Sequence, residues 1–317
     1  MEVWVVVTIE GEIMQDKRFT LLPGRPDWPI IVWMVIVHVL GLFSVFQFTN
    51  TGFALLLILH FVTCCLGITF GYHRLLSHRS FKARRWLERL SATFGVLALQ
   101  GSPLEWVGHH RMHHAHVDTP KDPHNARRGF WYSHIGWLFR VVDEFDDPGK
   151  LRKYSRDIVA DKYLLFVGRP IVMIGLQVLL GLALWSVFGF KAMLWGIFVR
   201  IIFGYHATWC VNSISHMWGY RNYRSDDLSV NNWWVAVVAW GEGWHNNHHM
   251  HESIAPAGHK WWEFDVTMWV IRICGKFGWV WGIRGLPADL GRFDLGRVLV
   301  QKDLGTDAGP QTFATST

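Results

Sequence analysis

Neutral imidazole is a good metal ligand near pH 7, and imidazoles grouped at close spacing repel one another's lone pairs and protons unless a cation is shared among them. Nine of this chain's 18 histidines fall in four short stretches: His73 and His78 in HRLLSH, His110, His113 and His114 in HRMHH, His216 in NSISH, and His245, His248 and His249 in HNNHH. Spacings of i, i+3 and i+4 put three imidazoles on one helical face. The i to i+5 spacing of His73 and His78 shares no face of an ideal α-helix, so that pair is expected to straddle a helix end. Nine nitrogens exceed what a four-coordinate zinc can use, so two metals fit better, and an imidazole-rich set suits redox-active iron. Solvated interfacial histidines, or a flexible zinc-binding surface, are the bland alternative. It explains a lone histidine better than three multi-histidine motifs. The four cysteines form no C-x-x-C pair, which argues against a thiolate zinc site or a disulfide framework.

Something rigid must carry these groups. The chain is 50% hydrophobic and only 18% charged over 317 residues, too little charge for an ordinary soluble surface of this size. Ile30 to Phe48 and Gly52 to Gly71 carry no formal charge, and at about 1.5 Å per residue each covers roughly 30 Å of hydrocarbon. A second pair runs from about Pro170 to Gly189 and from Lys191 to Val211. Four transmembrane helices in two hairpins are expected. Lysine and arginine number 3 before the first hairpin, 16 from Arg74 to Lys162 and 9 after His216, against Lys191 alone in the opposite connections. The positive-inside rule then puts both termini and the histidine motifs on the cytoplasmic side.

The expected architecture is an all-α integral membrane protein whose cytoplasmic helical cap holds a dimetal site. Residues 1–29 read as a cytoplasmic N-terminal segment, 30–304 as the membrane domain and 305–317 as a disordered tail. His73 lies two residues past the second span and His216 five past the fourth, so rigid helices carry both out of the bilayer. Arg89 to Trp106 is broken by Gln100, Gly101, Ser102 and Pro103 and is expected along the interface rather than across it. Trp233, Trp234, Trp261 and Trp262 read as belt residues. Arg200 is costly in mid-span, and snorkelling or a structural pair is its expected fate. His38, His60 and His206, also in spans, are expected to be buried and satisfied rather than ligating. His116, His124 and His134 are expected behind or beside the ligands, His109 outside the set, and Asp118, Asp122 and Glu242 near enough to orient imidazole N–H groups.

HRLLSH, HRMHH and HNNHH in this order, with a membrane hairpin before the first and another before NSISH, resemble the membrane fatty acid desaturases, specifically the stearoyl-CoA desaturase-like delta-9 group. The likeness runs through GITFGYHRLLSHRSF, LEWVGHHRMHH, DPHNARRGFWYSHIGWL and GEGWHNNHH, roughly Ile30 to Arg284. The histidine pattern alone is shared with membrane hydroxylases; DPHNARRGF and NSISH are closer to desaturases. The resemblance implies two iron ions held by the nine histidines, with Asn212 reaching a metal through water. It also implies that Gln100, Trp106, Thr208 and Trp209 line a bent tunnel for a saturated acyl chain, and it implies O2-dependent cis desaturation, with position 9 by analogy to the group.

No haem motif of a fused cytochrome b5, ferredoxin module or dinucleotide-binding loop is evident, so a separate electron donor, ferredoxin or cytochrome b5, is expected on the basic face. Acyl-CoA enzymes of the group carry a basic pair after the Gly-Trp-Leu stretch, where this chain continues Phe139, Arg140, Val141 and then Asp143 and Glu144. A second basic contact before HRMHH is replaced by Gly108. With GHKWWEFDVTMWVIR, which is similar to cyanobacterial and plant-type acyl-lipid desaturases, this favours a glycerolipid-bound chain over acyl-CoA. Arg127, Arg128 and Arg140 remain for a lipid phosphate. A membrane hydroxylase would use the same metal logic. A non-catalytic metal-binding or transport protein would need polar spans, whereas the first two are polar only at His38, Gln47, His60 and a few hydroxyls. No nucleic-acid motif is present.

Overall fold

The computed structural model describes residues 23–286. Most of the expected N-terminal segment, and all of the expected tail, lie outside the described residues.

Four helices are long and apolar enough to cross a bilayer: Trp28–Val45, Asn50–Ser77, Pro170–Phe188 and Phe190–His216. Each starts where a local signal dictates. Asp27 caps the first by accepting from the Ile30 N–H at 3.2 Å, Thr49 caps the second through Gly52 N–H at 2.9 Å, and Pro170 opens the third. The connection between the first two is residues 46–49, and Gly189, at φ 84°, turns the third into the fourth. The second and fourth spans are 56% and 61% buried against 22% and 11% for the first and third, so they form the interior pair. Ile171, Val39 and Leu179 on the outer pair face outward.

Close backbone approach is what small residues permit among packed apolar helices. A Cβ on Gly67 would come within 2.4 Å of the Gly95 nitrogen, and one on Gly204 within 2.8 Å of the Cys64 sulfur. These two positions bring the second span against helix Arg85–Leu97 and against the fourth span. Around Phe70, Tyr72, Leu75, Leu76, Val96, Val107 and Ile271 the buried residues form the main apolar cluster directly beneath the histidine motifs.

The second span is not α-helical throughout. From Phe61 to Ser77 it is wound as a π-helix, and His78 N–H donates to the His73 carbonyl at 3.0 Å, an i to i+5 bond. The wider winding brings i and i+5 onto one face, so the His73 and His78 rings sit 4.7 Å apart at 89°. The pair does lie at the helix end, but the winding, not the end, unites it. Beyond it, helices Arg85–Leu97 and Pro103–Ala115 meet at a turn, as the Gln100 to Pro103 interruption demands, and Trp233–Val238 is a short helix. Ser102 and Glu105 form a capping box at the start of the HRMHH helix. Two-residue strand pairs, Arg25–Pro26 with Arg140–Val141 and Lys82–Ala83 with Val280–Trp281, tie loops together. Trp261, at 92% exposure, and Trp233, at 54%, stand outside.

Arg200 corrects the expectation. It does not snorkel, and among the described residues no carboxylate pairs with it: it is fully buried, and its donors go to the Gly196 and Leu97 carbonyls, Thr63 and Gln177. Of the span histidines, His60 is buried and reaches the Val238 carbonyl through Nε2 at 3.0 Å while its Nδ1 has no partner among the described residues, and half-buried His38 reaches the Met34 carbonyl at 2.7 Å.

Candidate metal centre

The nine motif histidines converge from four elements and separate into two groups. His73, His78, His110, His114 and His248 offer ring nitrogens within 4.8 Å of one another, and so do His113, His216, His245 and His249. The HRMHH helix feeds both. His110 and His114, four residues apart, face the first group, and His113 between them faces the second. The HNNHH helix divides likewise, His248 going one way and His245 and His249 the other.

Facing nitrogens are closer than uncharged lone pairs tolerate. Nε2 of His78 and His110 are 2.7 Å apart, those of His73 and His248, His248 and His114, and His216 and His245 are each 3.1 Å apart, and those of His113 and His249 are 3.4 Å apart. The opposite nitrogens show which tautomer faces inward. His113 Nδ1 meets Asp122 at 2.9 Å, His114 Nδ1 meets Glu252 at 2.9 Å, and His249 Nδ1 meets Asp227 at 2.8 Å. His73 Nδ1 lies 3.0 Å from Glu242 and His216 Nδ1 3.4 Å from Asp118, charge contacts not aligned as hydrogen bonds. A carboxylate on Nδ1–H leaves the lone pair on Nε2, aimed at the centre.

Electrostatics agree. Burial, helped by neighbouring imidazoles, pushes His78, His110, His113, His245 and His248 well below the usual histidine range. His114 falls to about 4 by burial although Glu252 opposes it. These six rings are therefore held neutral, the charge state a metal ligand requires. Burial opposes ionisation of Asp227, but the His249 hydrogen bond wins and holds its carboxyl far below the ordinary value. Asp122 goes the other way, burial raising it to about 6. A buried, all-nitrogen, unprotonated set with lone pairs facing one another fits two cations of intermediate softness such as iron.

The supporting residues were only partly legible. Asp118, Asp122 and Glu242 were expected; Glu252 and Asp227 were not. Glu252 is three residues past His249 yet serves His114, and nothing in the spacing signals that. Asn246 and Asn247, between the ligand histidines, anchor the back of the HNNHH helix: Asn247 accepts from Asn231 and Asn222 and donates to Glu263 at 2.7 Å. Arg74 links Glu242, at 2.9 Å, to Asp265, at 2.8 Å.

Of the other histidines, His109 turns to Asp146 at 3.1 Å, His116 to Tyr154, and His134 to Ser213 and His206; the His124 ring lies 4.2 Å from that of His113, and His113, Asp122 and His124 make a third group whose ligand atoms lie within 4.8 Å of one another. Asn212 is half-buried one turn before His216 and has no side-chain hydrogen bond among the described residues. Trp106 stacks on His110 at 5.0 Å, Gln100 donates to Thr208 at 2.9 Å, and Trp209 is buried against Tyr205. Arg140 is already committed to the Pro23 and Gly24 carbonyls.

The fatty acid desaturase family model matches residues 49–282. An sn-2 palmitoyl-lipid 9-desaturase of Nostoc sp. is 43% identical over 264 residues, covering 81% of this chain and 92% of that one. An sn-1 stearoyl-lipid 9-desaturase of Synechocystis sp. is 43% identical over 258 residues, covering 80% and 79%. An acyl-CoA 5-desaturase of Anemone leveillei is 42% identical over 288 residues, covering 86% and 88%.

Proposed function

The chain belongs to the fatty acid desaturase family, and we propose that it inserts a cis double bond at carbon 9 of a saturated, glycerolipid-bound acyl chain, using two irons held by nine histidines. The observation that carries the reading is the convergence of those histidines, five and four, with their lone pairs inward. The balanced reaction takes the saturated chain, O2, two electrons and two protons to the cis-alkene and two waters. The chemistry supplied at a two-iron centre is dioxygen reduction coupled to removal of hydrogen from unactivated methylenes.

The protein's share is position and dryness. His73, His78, His110, His114 and His248 form one ligand set; His113, His216, His245 and His249 form the other, with Asn212 completing it through water. Glu242, Asp122, Asp118, Asp227 and Glu252 fix the ring tautomers. Trp106, stacked on His110, Gln100, bonded to Thr208, and the neighbouring Trp209 would line the acyl path, so that a chain of nearly identical methylenes is read by distance from its headgroup.

The carrier follows from what is missing. A Cβ on Gly108 would meet Leu151 at 2.8 Å and Ser155 at 3.1 Å, so helix Pro148–Tyr154 leaves no room there for a cationic side chain. Arg140 is spent on backbone carbonyls, and acids fill Asp143–Asp146. A CoA carrier presents several phosphates that need positive partners. Arg127 remains for a single lipid phosphate. The spans form two hairpins, and the charge asymmetry makes the histidine-bearing face a cytoplasmic cap, with both termini and the separate electron donor, ferredoxin or cytochrome b5, on that side.

Lipid analysis of a host expressing the chain tests the reaction: a new cis-9 monoene of 16 or 18 carbons is expected, and hydroxy-fatty acids as the main product would overturn it. Labelled acyl-CoA and labelled glycerolipid, offered separately to membranes with a reductant, test the carrier. Desaturation of the CoA pool before transfer into lipid would refute the glycerolipid assignment.

A further inference from the structure

Between helices Arg85–Leu97 and Pro103–Ala115 the chain makes a turn in which Leu99, a non-glycine residue, holds φ 55° and Gly101 holds φ 103°. Leu99 is strained there, and such a conformation persists only where its surroundings over-determine it. The fourth span supplies the determination. Arg200 Nη1 donates to the Leu97 carbonyl at 2.9 Å, Tyr205 Oη donates to the Leu99 carbonyl at 2.7 Å, and Gln100 Nε2 donates back to Thr208 at 2.9 Å and the Gly204 carbonyl at 3.3 Å. Arg200, Gly204 and Thr208 lie at i, i+4 and i+8, one stripe of a helix, with Tyr205 beside them. Successive rungs of one stripe thus grip successive residues of the turn.

The top rung is a buried cation. Arg200 is 1% exposed, and among the described residues no carboxylate contacts it. Its Nε donates to the Gly196 carbonyl at 2.8 Å, Nη1 also reaches Thr63 at 3.2 Å, and Nη2 reaches Gln177 at 3.2 Å. Gln177 in turn donates its amide to the same Leu97 carbonyl. One guanidinium therefore joins the second, third and fourth spans to the end of helix Arg85–Leu97. The lower rung is braced from the first span, where Trp33 Nε1 donates to Tyr205 Oη at 3.2 Å. Holding a buried charge among apolar spans is costly, and here it fixes the shape of a five-residue turn.

Gln100 lies in that turn, bonded to Thr208 of the fourth span, and four residues past Ser102 comes Trp106, stacked on His110; on the desaturase reading the turn then sets how far the bend of the acyl path stands from the metal ligands. We infer that Arg200 and Tyr205 are positioning residues that set which methylene of the acyl chain is presented for desaturation. The inference rests on the desaturase reading above. Among the relatives already described, two carry 9 in their names and one carries 5, so a shared scaffold of this kind accommodates different positions.

The test is the double-bond position, read by mass spectrometry of dimethyl disulfide adducts from host lipids. Tyr205→Phe keeps the ring and removes both bonds of the hydroxyl, the one it donates to Leu99 and the one it accepts from Trp33; Arg200→Met keeps the length and removes every side-chain donor. Loss of one such bond is worth about a five-fold shift in a conformational ratio. The expected result is that Tyr205→Phe lowers the ratio of the main monoene to its neighbouring positional isomers about five-fold and Arg200→Met lowers it further, with full-length chain still in the membrane. Gln177→Leu, which loosens only the Leu97 rung, gives a smaller shift. A wild-type isomer ratio in Tyr205→Phe, whatever happens to total yield, overturns the inference alone, including where Arg200→Met fails to accumulate. Absence of any new monoene from the wild-type chain overturns the desaturase reading and the inference with it.

Discussion

Asp227 offers the sharpest test of the metal centre, because its two oxygens have different tasks. Oδ1 accepts from Ser225 Oγ at 2.7 Å and from the Ser229 backbone N–H at 3.0 Å, as well as from the Ser229 hydroxyl. Oδ2 accepts from His249 Nδ1 at 2.8 Å. In Asp227→Asn the three donors keep the amide oxygen at the Oδ1 position, which turns the amide NH2 toward His249. A donor there requires a lone pair on Nδ1 and moves the imidazole proton to Nε2, the nitrogen that faces His113 at 3.4 Å. The ligand is then blocked without being removed. Losing an outer partner of a ligating histidine costs about 10- to 100-fold in metal affinity, which is about 1.4 to 2.7 kcal/mol. The assay is metal content of the detergent-purified protein after dialysis against graded chelator. One metal of two should leave at roughly 10- to 100-fold lower chelator strength than in the wild type, while the five-histidine group keeps its own. Glu252→Gln is the comparison: the Glu252 side chain is 55% exposed, so water replaces it and the loss should be a few-fold at most. Two metals held at wild-type strength by Asp227→Asn would refute the tautomer argument.

His113→Ala and His248→Ala each remove one inward nitrogen from a different group; both should abolish desaturation while the chain remains membrane-inserted, checked by lipid analysis beside membrane fractionation, and full activity in either would sink the two-metal site. Gly108→Leu drives a side chain into Leu151 and Ser155 and should destabilise the HRMHH helix by about 1 to 3 kcal/mol, seen as a lower melting temperature in detergent; an unchanged melt would mean that helix Pro148–Tyr154 does not lie over Gly108. Burial works against ionised Asp157, but hydrogen bonds from Arg111 and Arg79 prevail and hold its carboxyl below the ordinary value. A depressed carboxyl contributes stability that is present above its unfolded value and lost as pH falls toward the folded one. Melting of the wild-type protein should therefore drop below pH about 4 more than that of Asp157→Asn. Since the Asp157 side chain is 35% exposed, the neutral-pH cost of that substitution should be only about 0.5 to 1 kcal/mol, and parallel pH profiles would remove Asp157 from the pH response.

Local chemistry and spacing were enough to identify the ligand histidines and the spans, because both signals are short in sequence. A run of uncharged residues reports its own hydration cost, and i, i+3, i+4 reports one helical face. The same logic marked Gln100 to Pro103 as a break and Arg200 as anomalous. Spacing failed at His73 and His78, since it presumes α-helical winding and the second span is π-wound where it carries them. It could not divide nine histidines into five and four, because His113 and His114 are neighbours in sequence yet face different groups through the rotation of one helix. Nor could it find Glu252 behind His114 or Asp227 behind His249, which loops deliver from 138 and 22 residues away. Arg200 is the clearest case: sequence showed a charge where charge is expensive, and only packing of three spans against one turn showed where its hydrogen bonds go. A side chain's type and local period are properties of the chain, whereas which distant donor meets which acceptor is decided when apolar helices close together and every buried polar atom must find a partner.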